Sequence, residues 1–246
     1  MSIEDERDFA GLRLIGSLIG QTLREVVALA EPGLTTADLD RYIADRLVPL
    51  GVRSTPGHTY GFPGFACICV NDEAVHGVPG SRRLVSGDVV TVDLEADLDD
   101  YVADAARTFI VGESHPKDDR LCDCARAACY AGIDAARPGA RARDIGRASD
   151  KRVRRSGFRV IRSLYGHGVG RAAHEPPNIP GFDDPRCYET LHEGLVITVE
   201  PIVSMGSGRV LQDGQWIVRT ADGAHAAHHE ETIVVGRGGA HILTAA

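Results

Sequence analysis

Two stretches of the chain each end in a carboxylate and are otherwise nearly the same. Gly87-Asp88-Val89-Val90-Thr91-Val92-Asp93 and Gly194-Leu195-Val196-Ile197-Thr198-Val199-Glu200 are runs rich in β-branched residues, opened by glycine and closed by an acid. Each reads as a strand that delivers a carboxylate at its end. After the first, Asp97-Leu98-Asp99-Asp100 is a turn signal and Tyr101-Val102-Ala103-Asp104 starts a return strand. With the turn centred between residues 98 and 99, Asp93 stands directly opposite Asp104. Opposed like charges cost roughly 0.2–1 kcal/mol across a hairpin, and more when buried. Two readings answer that cost: the acids lie in solvent and are screened, or a cation sits between them.

The second half of the chain holds further ligand types. Glu230 stands in His228-His229-Glu230-Glu231-Thr232-Ile233, just ahead of another β-branched run, and His167 stands in Gly166-His167-Gly168-Val169-Gly170. His174 follows in Ala173-His174-Glu175-Pro176. Alone, His167 reads as a loop residue and Glu200 or Glu230 as a surface acid. Together, four carboxylates and one imidazole (Asp93, Asp104, Glu200, Glu230 and His167) suit a hard or borderline divalent ion such as Mn, Fe, Co or Zn.

The elements that must position these groups come in duplicate. Besides the twin strands, residue 194 against residue 87 being an offset of 107, Pro32-Gly33 recurs as Pro138-Gly139 and Gly51-Val52-Arg53 as Gly157-Phe158-Arg159, both at an offset of 106. Three matches at nearly one offset point to an internal repeat, with halves of roughly 1–112 and 113–246 fused into a single catalytic domain spanning 1–246. Phe9, Leu12, Ile15, Ile19, Leu23 and Val26 recur at helical spacing. Thr35 or Thr36 caps a second helix carrying Leu39, Ile43 and Leu47, and Leu121, Ala125, Ala128, Gly132 and Ile133 mark the first helix of the second half. Helices followed by hairpin-like strands in each half predict an α+β fold, an antiparallel-rich sheet covered by helices.

Bulk composition narrows the function. With 43% apolar and 25% charged residues the chain is globular, and no apolar run approaches the ~20 residues that span a bilayer. The acidic start, Met1-Ser2-Ile3-Glu4-Asp5, lacks a secretory h-region, so a cytoplasmic protein is expected. A net charge of −8 argues against nucleic acid or an anionic membrane as the main partner. The basic run Lys151-Arg152-Val153-Arg154-Arg155 reads as a solvated helix face. Six cysteines without a CxxC pair give poor support to structural zinc and read as reduced thiols.

Taken jointly, the motifs resemble the type I methionine aminopeptidases within the pita-bread metallopeptidases. The resemblance rests on Asn71 through His76-Gly77-Val78-Pro79, on Gly87-Asp88 to Asp93 with Asp104 eleven residues later, on Gly166-His167-Gly168-Val169-Gly170 through His174-Glu175-Pro176, on Thr198-Val199-Glu200-Pro201, and on Glu230 with Thr232. It implies a pita-bread fold with pseudo-twofold halves and a curved sheet. It also implies two divalent ions (Co, Mn, Fe or Zn) held by Asp93, Asp104, His167, Glu200 and Glu230, with Asp104 and Glu230 bridging. Two ions ~3.5–4 Å apart hold a water of lowered pKa and polarise a carbonyl. Glu200 would move the proton, His174 would stabilise the oxyanion and His76 would position the substrate near the leaving amide. Phe62, Cys67 and Trp216 fall where the family lines its methionine pocket. Ala173 stands where the family usually has phenylalanine, and Pro56-Gly57-His58-Thr59-Tyr60-Gly61 departs from the family pattern, with Tyr60 shifted by one position.

The implied reaction is removal of methionine ahead of a small second residue from nascent polypeptides and peptides, with the ribosome as a further partner and a monomer as the functional unit. Two rivals stand beside it: an aminopeptidase P or prolidase-like Xaa-Pro peptidase, and a non-catalytic pita-bread scaffold.

Overall fold

A computed structural model describes residues 1–245. The first half runs α1 (Glu6–Leu29), α2 (Thr36–Leu47), β1 (Arg53–Ser54), α3 (Thr55–Tyr60), β2 (Cys67–Val70), β3 (Glu73–Val75), β4 (Val89–Leu98) and β5 (Tyr101–Ile110). The second runs α4 (Pro116–Ala135), α5 (Ala142–Arg155), β6 (Arg159–Val160), β7 (Tyr165–Gly168), β8 (Glu175–Pro180), β9 (Val196–Val199), β10 (Ile202–Ser204), β11 (Val210–Asp213), β12 (Ile217–Thr220), β13 (Ala226–His228), β14 (Glu231–Val234) and β15 (His241–Ile242). Among the described residues, no helix is long and apolar enough to cross a membrane.

Local signals explain where the helices lie. The Asp5 side chain accepts from Asp8 N–H to start α1, whose apolar stripe of Leu12, Ile15, Ile19, Leu23 and Val26 is buried against β4 and β5. Fully burying each such side chain contributes roughly 1.5–3 kcal/mol. Thr35, not Thr36, caps α2, and Asp38 returns the bond to the Thr35 N–H in a capping box. In α5 Val153 is buried while Lys151, Arg154 and Arg155 face solvent, as the basic run predicts.

The repeat is visible as duplicated hydrogen bonding. Gly33 and Gly139 both take a left-handed φ, +102° and +89°, and donate to the carbonyls of Leu84 and Leu191, each at 2.8 Å. Leu84 N–H then bonds Leu34 O, and Leu191 N–H bonds Ala140 O. The same turn chemistry thus fixes the approach of each helix pair to its sheet. In one sheet β4 is flanked by β2, β5 and the short β1, and in the other the order is β15-β14-β9-β7-β8, all antiparallel. Two small three-stranded sheets, β13-β10-β6 and β11-β12-β3, complete the frame.

The β4–β5 hairpin corrects one expectation. Its turn is Asp99-Asp100, both at positive φ (+50° and +64°), and Leu98 pairs with Tyr101. A two-residue hairpin turn needs left-handed residues at both central positions, and aspartate tolerates them. The register therefore slides, so that Asp93 pairs with Ala106 and Asp104 with Glu95. Because the slide is by two residues in sum, Asp93 and Asp104 keep the same face as diagonal neighbours rather than opposing each other.

Two threonines lock the halves together at the strands that matter. Thr232 on β14 donates to the Asp104 carbonyl at 2.7 Å and accepts the Asp104 N–H at 2.9 Å. Thr108 on β5 does the same for His228 at the end of β13, at 2.7 and 2.8 Å.

Candidate metal centre and cleft

The five groups singled out as metal ligands converge. Asp93 and Asp104 come from β4 and β5, His167 from β7, and Glu200 and Glu230 from the residues directly after β9 and before β14. His167 Nε2 lies 3.5 Å from Glu200 Oε1 and 4.0 Å from Asp104 Oδ2. Its other nitrogen, Nδ1, donates to the Gly168 carbonyl at 2.9 Å, which leaves the Nε2 lone pair facing the acids. Thr198 ties two of the groups to each other: its hydroxyl donates to Glu200 Oε1 at 2.8 Å and accepts the His167 N–H at 3.0 Å. Gly166 makes that approach possible, since a Cβ there would stand 2.9 Å from Thr198 Oγ1 and 3.0 Å from Glu200 Cγ. Arg107 holds the Glu230 carbonyl at 2.6 Å while its other nitrogen pairs with buried Glu231 at 2.8 Å.

Burial dominates the electrostatics. It pushes Asp93 up to about 6 and Glu200 to about 8, and lifts Asp104 and Glu230 well above the carboxylate range, with the neighbouring acids adding to the rise in Asp104, Glu200 and Glu230. Burial holds His167 down at about 4, a neutral ring with a free lone pair. Asp104 Oδ1 and Glu230 Oε1 are buried without a hydrogen-bond partner. Orphaned carboxylate oxygens of that kind are costly unless a cation takes them up. Among the described residues, donor atoms within 4.8 Å of one another form two groups, Asp104 with His167 and Glu230 and Asp93 with His228 and Glu230; Glu200 falls in neither and His228 was not among the five. These carboxylates and imidazoles fit divalent metal.

Two participants were not among the sequence expectations. His228 is 2% exposed, and its Nε2 lies 3.4 Å from Glu230 Oε2 and 3.6 Å from Glu200 Oε2. Glu95 faces Asp104 in register, is buried with an unpartnered Oε1, and is raised to about 8 by burial and then by Asp93 and Asp97. Two-residue periodicity held the signal for both, since Glu95 stands two residues from Asp93 and His228 two from Glu230.

The cluster opens into a cavity of about 500 Å³, within the usual range for small-ligand sites. Phe62, Cys67 and Trp216 all line it, with Phe62 and Trp216 packed edge to face at 5.3 Å. Asp40 on α2 accepts the Phe65 and Ala66 N–H groups at 2.8 and 2.9 Å, pinning the segment between Phe62 and Cys67. Pairing of β12 with β3 brings Trp216 beside His76, which stands at positive φ (+59°) on the rim. His174 is presented by a loop that Glu175 ties down by accepting the N–H groups of Arg171 and Ala172 at 2.7 and 2.9 Å. The shifted Tyr60 reaches it: the Tyr60 hydroxyl bonds His174 Nδ1 at 2.8 Å. Ala173 is buried next to His174 but presents only a methyl group.

With this geometry in view, comparison with known proteins is specific. Residues 10–237 match metallopeptidase family M24. The chain is 38% identical over 244 residues to a methionine aminopeptidase of Clostridium perfringens, covering 98% of each protein. It is 36% identical over 247 residues to methionine aminopeptidase 2 of Bacillus subtilis, covering 99% of each. It superposes on the crystal structure of methionine aminopeptidase from Rickettsia prowazekii with a TM-score of 0.95 at 32% identity, covering 99% of this chain and 100% of that one. The α+β pita-bread architecture expected from the sequence is the one observed.

Proposed function

The chain belongs to metallopeptidase family M24, and from that premise we propose that it is a methionine aminopeptidase, a hydrolase that removes N-terminal methionine when the second residue is small. The observation that carries the proposal is the set of buried, partnerless oxygens on Asp104 and Glu230 at the floor of a cleft whose side wall is apolar. Full-length similarity to methionine aminopeptidases supports the same substrate. Asp93, Asp104, His167, Glu200 and Glu230 would hold two divalent ions (Co, Mn, Fe or Zn). Such a pair supplies a nucleophilic water at neutral pH and polarises the scissile carbonyl.

The chain's own groups do the rest. Glu200, directly after β9 and facing the cleft, would accept a proton from the attacking water once ionised and return it to the leaving amine. The Tyr60 hydroxyl bonds His174 Nδ1 at 2.8 Å; with Tyr60 as the donor the ring proton would sit on Nε2, which would then donate to the carbonyl oxygen as charge develops there. His76 on the rim orients the peptide near the leaving amide. Phe62, Cys67 and Trp216 enclose the methionine side chain; Cys67 is buried and its thiol is raised well above its ordinary value, so it acts as an apolar wall. Free cysteines at all six positions suit a reducing compartment, and the natural substrates are nascent polypeptides and peptides met in the cytoplasm, at or near the ribosome, by a monomeric enzyme.

A substrate panel tests the proposal. With Mn(II) or Co(II) supplied, Met-Ala-Ser should release methionine, whereas Xaa-Pro peptides should stay intact. Cleavage of Xaa-Pro peptides with Met-Ala-Ser untouched would assign the site to a prolidase-like enzyme, and inactivity on both would leave a scaffold.

A further inference from the structure

His228 has a geometry that the five-ligand shell leaves unused. Its ring is buried, and neither nitrogen has a hydrogen-bond partner. Two donor atoms each about 2.1 Å from a shared ion stand about 3.4 Å apart at the tetrahedral angle. His228 Nε2 meets that spacing at 3.4 Å from Glu230 Oε2 and 3.6 Å from Glu200 Oε2. His167 Nε2, by comparison, lies 3.5 and 4.0 Å from its carboxylate neighbours. The two imidazoles therefore flank the Glu200 carboxylate, one near each oxygen. Asp93, His228 and Glu230 form a ligand group of their own within 4.8 Å. Backbone placement is as firm as for Asp104, because Thr108 brackets the His228 N–H and carbonyl as Thr232 brackets those of Asp104. The adjacent His229 does not compete: its Nε2 lies 3.6 Å from Glu231, whose carboxylate is already held by Arg107 and Thr244.

We infer that His228 is a sixth metal ligand, giving the ion held by Asp93 and Glu230 an imidazole of its own. The inference rests on the metallopeptidase reading above and extends it from one nitrogen ligand per pair of ions to one per ion. An added imidazole favours Zn(II) and Co(II) over Mn(II) at that ion, since nitrogen donors suit the borderline metals better than the harder one.

Zinc alone is the probe. Apoprotein loaded with two equivalents of Zn(II) and measured by X-ray absorption should show about one imidazole per zinc in the wild type, against about one half in His228→Gln. In calorimetric titration, His228→Gln should bind one of the two zinc ions at least about 100-fold more weakly, a larger loss than removing an outer-shell partner gives. Glutamine keeps a hydrogen-bond donor, so a His228 that merely donated to Glu200 and Glu230 would be rescued by it. A wild-type count of one half imidazole per zinc, or equal zinc affinity in wild type and a folded His228→Gln, overturns the assignment, and the wild-type count does so without any variant. Zinc uptake in the wild type that is lost in Asp104→Asn but kept in His228→Gln refutes the sixth ligand while leaving the metallopeptidase reading intact. No zinc uptake by the wild type refutes both.

Discussion

Replacing Thr198 by valine removes one hydroxyl and keeps the shape, and the structure assigns that hydroxyl two tasks. It donates to Glu200 Oε1 at 2.8 Å and accepts the His167 N–H at 3.0 Å, in a fully buried position. A bond to an ionisable carboxylate contributes about 1.5–3 kcal/mol, and a buried N–H left without a partner costs about 1–3 kcal/mol. Valine recovers part of that through its methyl group, so a net loss of about 2–5 kcal/mol is expected in the apoprotein. At this chain length that corresponds to a fall of roughly 5–15 °C in Tm. The same change frees the Glu200 carboxylate and the His167 ring to turn, which should weaken Mn(II) or Co(II) binding by about 10–100-fold. Thr198→Ser keeps the hydroxyl and should restore most of both quantities. Differential scanning calorimetry of the apoproteins and metal titration of all three proteins provide the readouts. Wild-type metal affinity in Thr198→Val would refute the idea that this hydroxyl positions the ligands.

Three further outcomes follow from the site. Tyr60→Phe deletes the bond to His174 Nδ1, so kcat on Met-Ala-Ser should fall about 2–13-fold with metal affinity unchanged, since one hydrogen bond's worth of orientation, about 0.5–1.5 kcal/mol, is lost; an unchanged kcat would deny Tyr60 that role. Metal affinity should rise as pH increases from 6 to 8, by up to about tenfold per pH unit for each proton displaced, because burial has raised Asp93 to about 6 and Glu200 to about 8. Apoprotein stability should move the opposite way: these acids hold protons more tightly folded than unfolded, and that advantage is lost as pH passes their folded values. Calorimetry in two buffers of different ionisation enthalpy checks the proton release, and a pH-independent affinity would contradict it.

The candidate ligands Asp93, Glu200 and Glu230 were legible in the sequence because each stands at the end of, or just ahead of, a β-branched run, whereas Asp104 lies in the middle of β5 and was found through the hairpin. Duplication was legible too: Gly33 and Gly139 take left-handed φ and bond equivalent carbonyls, a constraint that preserves glycine in both copies. The hairpin register was not, since the three aspartates at 97, 99 and 100 can each supply a turn and only the pairing of Leu98 with Tyr101 selects Asp99-Asp100. His228 and Glu95 carry no motif of their own, and only same-face periodicity from Glu230 and Asp93, two residues away, marks them. The Tyr60–His174 bond joins residues 114 positions apart, a contact no local pattern reports.

Metal-dependent methionine release is decided by titration of the apoprotein. Mn(II) or Co(II) is added to chelator-stripped protein while bound metal and methionine freed from Met-Ala-Ser are measured in the same samples. Release should appear with bound metal, and Asp104→Asn and Glu230→Gln should lose binding and release together. Release by the stripped wild type in excess chelator, or full metal occupancy with no release, would contradict metal-dependent release.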